Sequence, residues 1–405
     1  MSSLLIAGLH LPGSGLTNVL TALVSELRHV FDVRCLGFEP ALRSSEADVA
    51  IEGCPARIRR GSARAFRADP QWLERELAGG RTNTVLVSGP AFLAGPLLRQ
   101  LQPFRDRTRI VLYLPVEGSL ANDDFVPIVE GADTCVMYTE DARAGLASRC
   151  TTASAQRPDY RAPRIEAAGH GFDSSAFFPI AASDERARRI AARRAVYARD
   201  MDDAFIILNS NRPYLRKRLD LSIAAFGLFA RDKPDAHLHL HTGSRGPQVE
   251  QELTDAIAQT GIGERIHVTP GPDDPQVRRV GWLNALYNAC DIGLTTAMGE
   301  GWGLGLFEHA ATRAALVVPA HTSFIENWTG AALLVPAPDR QFVFYEAANM
   351  NAVTPDGVAA ALDALYRDRA LRDDLASTAF ARARHERHTW KSVAARLAGL
   401  LQKTS

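Results

Sequence analysis

The chain has 405 residues, with 46 Lys plus Arg matched by 46 Asp plus Glu, so its formal net charge is zero. That balance excludes a global basic field for nucleic acid and an acidic solvating tail. At roughly 100–200 residues per domain the length suits two or three domains with a core in each, and the 46% hydrophobic fraction is that of a globular protein.

The N-terminal "MSSLLIAGLHLPGSG" has neither a basic stretch nor a long apolar run, so it reads as a first buried strand rather than an export signal. No run approaches the ~18 apolar residues of a membrane span. The expected location is the cytoplasm, with peripheral contact at the inner face of a membrane left open, because a surface patch needs no span. Five scattered cysteines (Cys35, Cys54, Cys135, Cys150, Cys290), odd in number and without CxxC spacing, read as reduced core thiols.

Short apolar runs then alternate with longer amphipathic ones. Residues 4–9, 31–38, 84–89, 109–116 and 134–139 read as strands, and 15–30 and 71–80 as helices. Near-continuous apolar strands separated by helices indicate a parallel sheet covered on both faces. Residues 150–164 are polar without a clear period, 166–179 read as a connection, and 182–200 as a charged helix with one solvated side. The alternation restarts with strands at 204–211, 237–243, 265–271, 291–297, 315–320 and 332–337, helices at 219–232, 248–261 and 282–290, and a closing helix at 389–403. The expected fold class is α/β, with two Rossmann-like doubly wound domains facing a central cleft. Their bounds are 1–170 and 171–388, followed by a C-terminal helix, 389–405, crossing back to the first domain. In such sheets ligands bind outside the carboxyl ends of the strands.

The segment "DIGLTTAMGEGWGLGLFEHAATRAALVV" runs strand, glycine-rich loop, helix. Glycines let a backbone approach a ligand, and a helix N-terminus offers unsatisfied amides to a phosphate. A carboxylate cannot bind phosphate, so Glu300 and Glu308 need another partner; each accepts two hydrogen bonds, which suits vicinal hydroxyls. A diphosphate between two sugars uses all these features, and that ligand is a nucleotide sugar. An ordinary turn, with Glu308 favoured by the helix dipole, accounts equally well for this segment alone. A second cluster favours the ligand: "NSNRPYLRKRLDLSIAAF" places Arg212, Arg216, Lys217 and Arg218 between a strand and a helix N-terminus, where cations gain nothing from the dipole.

With these residues the chain resembles retaining glycosyltransferases of the GT-B fold, in the large group called family 4. Glu300 and Glu308 form an E-x7-E signature; "NRPYLRKRLDL" resembles the diphosphate site; "AAGHGFDSSAFFP" resembles the domain-junction segment through Gly171, Asp173, Phe177 and Pro179. "LHLPGSGLTN" resembles the glycine-containing loop after the first strand. The resemblance implies that Arg212 and Lys217 hold the diphosphate and that Glu300 binds hydroxyls of the transferred sugar. It also implies that Glu308 binds the ribose, that amides around Trp302, Gly303, Leu304 and Gly305 contact phosphate or sugar, and that Gly13 and Gly15 admit the donor.

Two positions depart from the pattern. Many relatives have a histidine where Glu117 stands in "YLPVEGSLAND"; Glu117 is then expected to face the sugar or acceptor, ahead of Asp123 and Asp124. A glycine and a proline are usual where Arg313 and Ala315 stand, which implies a local backbone adjustment. His170, at the junction, reads as structural. His237, His239 and His241 alternate along one strand but lack an adjacent Cys or acid, so no metal is expected there. With no DxD-type aspartate pair in a suitable loop, no metal and no resident cofactor are expected.

The function so implied is transfer of a sugar, with retention, from a nucleoside diphosphate sugar (UDP- or GDP-sugar first) to a hydroxyl acceptor, in polysaccharide or glycoconjugate biosynthesis. The alternatives are a nucleotide-sugar epimerase on the same fold and a catalytically idle sugar-nucleotide-binding subunit.

Overall fold

The computed structural model describes residues 2–402 apart from 12–13, 42–43, 62–66, 78–81, 121–122, 244–245, 271–273, 275–276, 278, 280 and 344–347. The chain forms two compact units. The first is Met1–Gly171 with Val343–Ala348 and Arg387–Ser405; the second is Phe172–Phe342 with Asn349–Glu386. The return of 343–348 to the first unit is absent from the bounds read off the sequence.

The N-terminal part of the first unit runs β1 (Ser3–Leu9), α1 (Gly15–Leu27), β2 (Asp32–Pro40), β3 (Ser45–Ile51), β4 (Cys54–Gly61), α2 (Pro70–Leu77) and β5 (Thr84–Ser88). It continues with α3 (Ala91–Leu101), β6 (Arg109–Leu114), β7 (Ser119–Leu120), α4 (Val126–Val129), β8 (Thr134–Met137), α5 (Glu140–Gln156) and β9 (Arg164–Ala167). Its sheet has the order β3-β4-β2-β1-β5-β6-β8-β9. The strands pair in parallel except β3 with β4, an antiparallel hairpin that corrects the all-parallel reading. Glu52 and Gly53 turn that hairpin at φ 49° and 76°, two successive positive values that match the right-handed twist of the strands they join. β9 falls where residues 150–164 give no clear period and 166–179 read as a connection. Ser14 caps α1 by accepting from the Thr17 amide at 3.1 Å, and Thr17 ties the helix to the preceding loop by donating to the Leu11 carbonyl at 2.7 Å.

The second unit runs α6 (Glu185–Val196), β10 (Phe205–Asn209), α7 (Leu219–Phe229), β11 (Ala236–Leu240), α8 (Pro247–Gln259), β12 (Ile266–Val268) and α9 (Trp282–Ala289). Next come β13 (Ile292–Leu294), α10 (Leu304–Ala310), β14 (Ala315–Pro319), α11 (Thr322–Trp328), β15 (Leu333–Val335), β16 (Asp339–Val343) and β17 (Ala348–Ala352). The last two elements of this unit are α12 (Pro355–Arg367) and α13 (Arg369–Ala383); α14 (Trp390–Gln402) belongs to the first unit, where it packs on α1. The parallel sheet of the second unit has the order β12-β11-β10-β13-β14-β15. From β10 the chain builds outward to β12 on one side, then returns and builds outward from β13 on the other. β10 and β13 therefore flank the switch point, where open α/β sheets bind ligands.

The charged helix α6 buries three arginines, Arg188, Arg189 and Arg193, beside the apolar Ala192 and Val196. Arg193 donates to the Ala289 carbonyl at 3.0 Å and to the Asp291 carboxylate at 2.7 Å, while Arg189 lies 3.3 Å from the other Asp291 oxygen. Asp291 also accepts from the Ile206 amide at 2.7 Å. The buried arginines thus satisfy the buried carbonyl end of α9, and one carboxylate joins α6, β10 and β13.

Among the described residues no helix is long and apolar enough to cross a membrane.

Candidate active site

The loops after β10 and β13 carry the candidate residues, and they are fastened to each other. Thr296 donates to the Arg218 carbonyl at 2.7 Å, the Met298 amide donates to the Arg216 carbonyl at 2.7 Å, and Arg216 donates to the Gly299 carbonyl at 2.9 Å. Arg218 adopts φ 47°, ψ 51° at the junction of the loop with α7 and turns its guanidinium onto the Asp220 carboxylate at 2.8 Å. That turn leaves Lys217 pointing inward, and its ammonium forms an ion pair with the Glu300 carboxylate. The Arg216 guanidinium lies 3.9 Å from the same carboxylate oxygen.

Glu300 and Glu308 are held in opposite protonation regimes. Burial would raise the Glu300 carboxyl, but the Lys217 ammonium and the Arg216 guanidinium reverse that and hold it below the ordinary carboxylate value. Among the described residues no such cation acts on Glu308: burial pushes it up to about 7, against the lowering effect of the Tyr287 hydroxyl, and the Asp173 carboxylate adds to the rise. Two carboxyls whose surroundings drive them apart are suited to different tasks.

Gly303 opens α10 at φ 91°, a conformation that L side chains rarely adopt. A Cβ on Gly305 would sit 3.2 Å from Ser210 Oγ and 3.5 Å from the Tyr287 hydroxyl, so the residue keeps the first turn of α10 close to the end of β10. Trp302 is buried and stacks on Phe307, with centroids 5.2 Å apart and planes 3° from parallel. Leu304 is half-buried at the first position of α10.

Four residues that the sequence did not single out complete the site. Tyr287 donates to Glu308 at 3.0 Å and stacks on His309. His321 Nε2 lies 2.9 Å from the Ala297 carbonyl, Ser323 donates to the Glu300 carbonyl at 2.6 Å, and Asn327 donates to the Trp302 carbonyl at 3.2 Å. Three carbonyls of the glycine-rich loop are therefore held by one segment after β14. The only available signal was position: "HTSFIEN" is a polar run directly after a buried strand, at the carboxyl end of the sheet. Thr322 within it has φ 38°, a strained value for a β-branched residue and of the kind that clusters at ligand sites.

The structure brings Arg216, Lys217, Glu300 and the start of α10 together, with Tyr287 linking Ser210 to Glu308. Arg212 is half-buried on the same loop, and its backbone carbonyl accepts from the Tyr214 amide at 2.8 Å. Glu117 and Gly15 lie in the first unit: Glu117 follows β6, where burial raises the Tyr138 hydroxyl and the Glu117 charge adds to the rise, and Gly15 opens α1. Gly13 lies outside the described residues. Asp123 pairs with Arg149 at 2.9 Å. His170 is packed among aromatic rings, with Nδ1 2.6 Å from the Tyr113 hydroxyl, and burial lowers it to about 3. His239 Nδ1 and Nε2 lie 2.8 Å from the hydroxyls of Tyr197 and Thr269, and His241 shares Thr269 at 3.0 Å. His237 meets His267 at 3.2 Å. Among the described residues no group of three or more His, Cys, Asp or Glu is placed to hold a metal.

At Arg313, where the resemblance led us to expect glycine, φ is 66°. The position keeps the left-handed conformation, and the arginine stacks over Phe380 at 4.2 Å.

Residues 248–399 match a family model described as glycosyl transferase-like; the match takes in Glu300 and Glu308 but not the loop after β10. No curated protein matches the chain in sequence. Among solved structures, α,α-trehalose-6-phosphate synthase from Burkholderia multivorans superposes with a TM-score of 0.71 at 14% identity, covering 99% of this chain and 98% of that one. Sucrose-phosphate synthase from Thermosynechococcus elongatus gives 0.70 at 14% identity, covering 99% and 98%. Anabaena HepE, solved with UDP and glucose, gives 0.69 at 14% identity, covering 99% of each chain. The chain has the GT-B fold of these glycosyltransferases, two Rossmann-like α/β units.

Proposed function

We propose that the protein transfers a sugar from a nucleoside diphosphate sugar to a hydroxyl acceptor with retention at the anomeric carbon. The observation that carries the reading is the arrangement at the β10/β13 switch point: a buried lysine and an arginine meet one carboxylate beside a glycine-opened helix, while a second carboxylate is kept apart on Tyr287. Lys217 and Arg212 hold the diphosphate and neutralise charge on the departing nucleotide, which dispenses with a metal ion. Glu300 accepts from hydroxyls of the transferred sugar and Glu308 from those of the ribose. The departing phosphate oxygen accepts the acceptor's proton as the new glycosidic bond forms on the same face, so no enzyme nucleophile is required. Glu117 faces the sugar or acceptor. UDP-sugars are the first donors to test, since the similar Anabaena protein was solved with UDP and glucose.

The test is a thermal-shift screen of the full chain against UDP, GDP, ADP and their glucose conjugates. A ligand that binds only the folded state raises the melting temperature. Stabilisation of wild type but not of Glu308→Ala by one nucleotide family supports the site and names the base. No stabilisation by any of them overturns the reading. Incubation of the preferred donor without acceptor separates transfer from epimerisation, since an epimerase converts the donor alone.

A further inference from the structure

We infer that the Lys217–Glu300 ion pair is a selectivity gate: Glu300 competes with phosphate for Lys217, so the site resists a bare diphosphate and opens to a diphosphate that carries a sugar. This rests on the donor-site reading above.

Both partners are enclosed, with the Lys217 side chain 9% exposed and that of Glu300 17%. Their backbones are fixed on either side of the pair. The Lys217 amide donates to the Tyr214 carbonyl at 2.8 Å, and its carbonyl accepts from Thr296 at 3.2 Å. The Glu300 carbonyl accepts from Ser323 at 2.6 Å. The loops are therefore tied in place, and the pair separates by side-chain rotation. A phosphate arriving at Lys217 displaces the carboxylate and leaves it largely buried beside a second negative charge. An enclosed charge that loses its partner is costly. Arg216, 3.9 Å from the same oxygen, compensates only in part. A donor sugar brings hydroxyls that donate to the released carboxylate. Pyrophosphate brings none, and a nucleoside diphosphate brings only ribose hydroxyls, which Glu308 takes. Glu300 therefore acts oppositely on the two ligands: it weakens the leaving product and supports the incoming donor. The consequence for turnover is release of nucleoside diphosphate once the sugar has left.

The experiment is isothermal titration of the full-length wild type and Glu300→Gln with pyrophosphate, with UDP, GDP and ADP, and with their glucose conjugates. We expect pyrophosphate and the matching nucleoside diphosphate to bind Glu300→Gln at least tenfold more tightly than wild type, while the sugar conjugate gains nothing or loses. Adding Lys217→Gln should remove the gain. Diphosphates that bind Glu300→Gln no more tightly than wild type, when wild type does bind a nucleotide sugar, overturn the gate and leave the donor reading standing. If wild type binds no nucleotide sugar, the donor reading falls and the gate falls with it. Should Glu300→Gln fail to fold by circular dichroism, Glu300→Asp, one methylene shorter, must shift the diphosphates in the same direction.

Discussion

Tyr287 donates its hydroxyl to the Glu308 carboxylate at 3.0 Å, and Glu308 nevertheless titrates near 7 because burial outweighs that bond. A carboxyl raised in the folded state binds more protons there than in the unfolded chain. Its contribution to stability is therefore largest below the unfolded value and falls as pH rises towards about 7. Ligand binding runs the other way, because an ionised Glu308 is the better acceptor for ribose hydroxyls. Nucleotide affinity should rise between pH 6 and 8, approaching about tenfold per pH unit on the acid side. Glu308→Gln should flatten both profiles. Titrations of wild type and variant across this range check it, and a parallel pH dependence in Glu308→Gln would assign the effect elsewhere.

Lys217→Ala should lower turnover by roughly two to four orders of magnitude, the scale of losing a preorganised donor to developing charge. It also strands Glu300, so the folded state should weaken. The double variant Lys217→Ala with Glu300→Gln should recover stability without recovering turnover. Steady-state kinetics beside urea unfolding separate the two effects, and near-normal turnover in the folded single variant would remove Lys217 from the mechanism.

The arginine face of α6 makes a stability prediction remote from the site. Asp291→Ala removes the carboxylate shared by Arg189, Arg193 and the Ile206 amide. Among the described residues that leaves Arg193 with carbonyl acceptors only and Arg189 with Glu185 as its remaining carboxylate, which should cost about 3 kcal/mol, read from the urea midpoint. A loss below about 1 kcal/mol, the scale of an exposed pair, would show that the arginines find water instead.

The two α/β halves were legible because buried parallel strands are nearly continuous apolar runs, as in residues 204–211 and 315–320. The site motifs were legible because four basic residues at a helix start and two glutamates around glycines conflict with ordinary surface economy. What escaped had weak local signals. α5 buries only Ala142, Leu146 and Cys150, too thin a stripe to show a helical period. α3 carries Pro96 in its interior, a residue that reads as a break. The β3–β4 turn is Glu-Gly rather than Asn-Gly or Asp-Gly, so the strongest hairpin cue is missing. Tyr287 lies in a helix whose pattern is that of any core helix, and its contact with Glu308 is made by tertiary packing. The burial of the α6 arginines has the same origin, since their partner is about a hundred residues away.

Arg313 tests the left-handed turn before β14. Arg313→Ala loses the stacking on Phe380 and keeps the conformational cost, whereas Arg313→Gly loses the stacking and relieves it. The glycine variant should be the more stable of the two by about 1 kcal/mol. Unfolding midpoints for both decide it, and equal stabilities would mean that the turn relaxes when the arginine is removed.

The support of the glycine-rich loop by His321, Ser323 and Asn327 makes a prediction about geometry rather than charge. Burial lowers His321 to about 4, so near neutral pH the ring is uncharged. Its Nε2 faces the Ala297 carbonyl and must carry the proton, which leaves Nδ1 to accept from the Thr322 hydroxyl at 3.0 Å. None of the three side chains is assigned a contact with the donor, so their effect on the reaction passes through the position of Glu300 and the α10 amides. Ser323→Ala frees the Glu300 carbonyl at one end of the loop, and His321→Ala frees Ala297 at the other. Each should reduce turnover by roughly ten- to a hundredfold, the scale on which small displacements act, while affinity for the nucleoside diphosphate alone changes little. His321→Gln, which can still present an N–H to the Ala297 carbonyl, should recover part of the loss, and the pH profile should show no inflection belonging to His321 between pH 6 and 8. Equal losses in nucleotide affinity and turnover would mean that the segment supports the whole nucleotide site instead of the placement of Glu300.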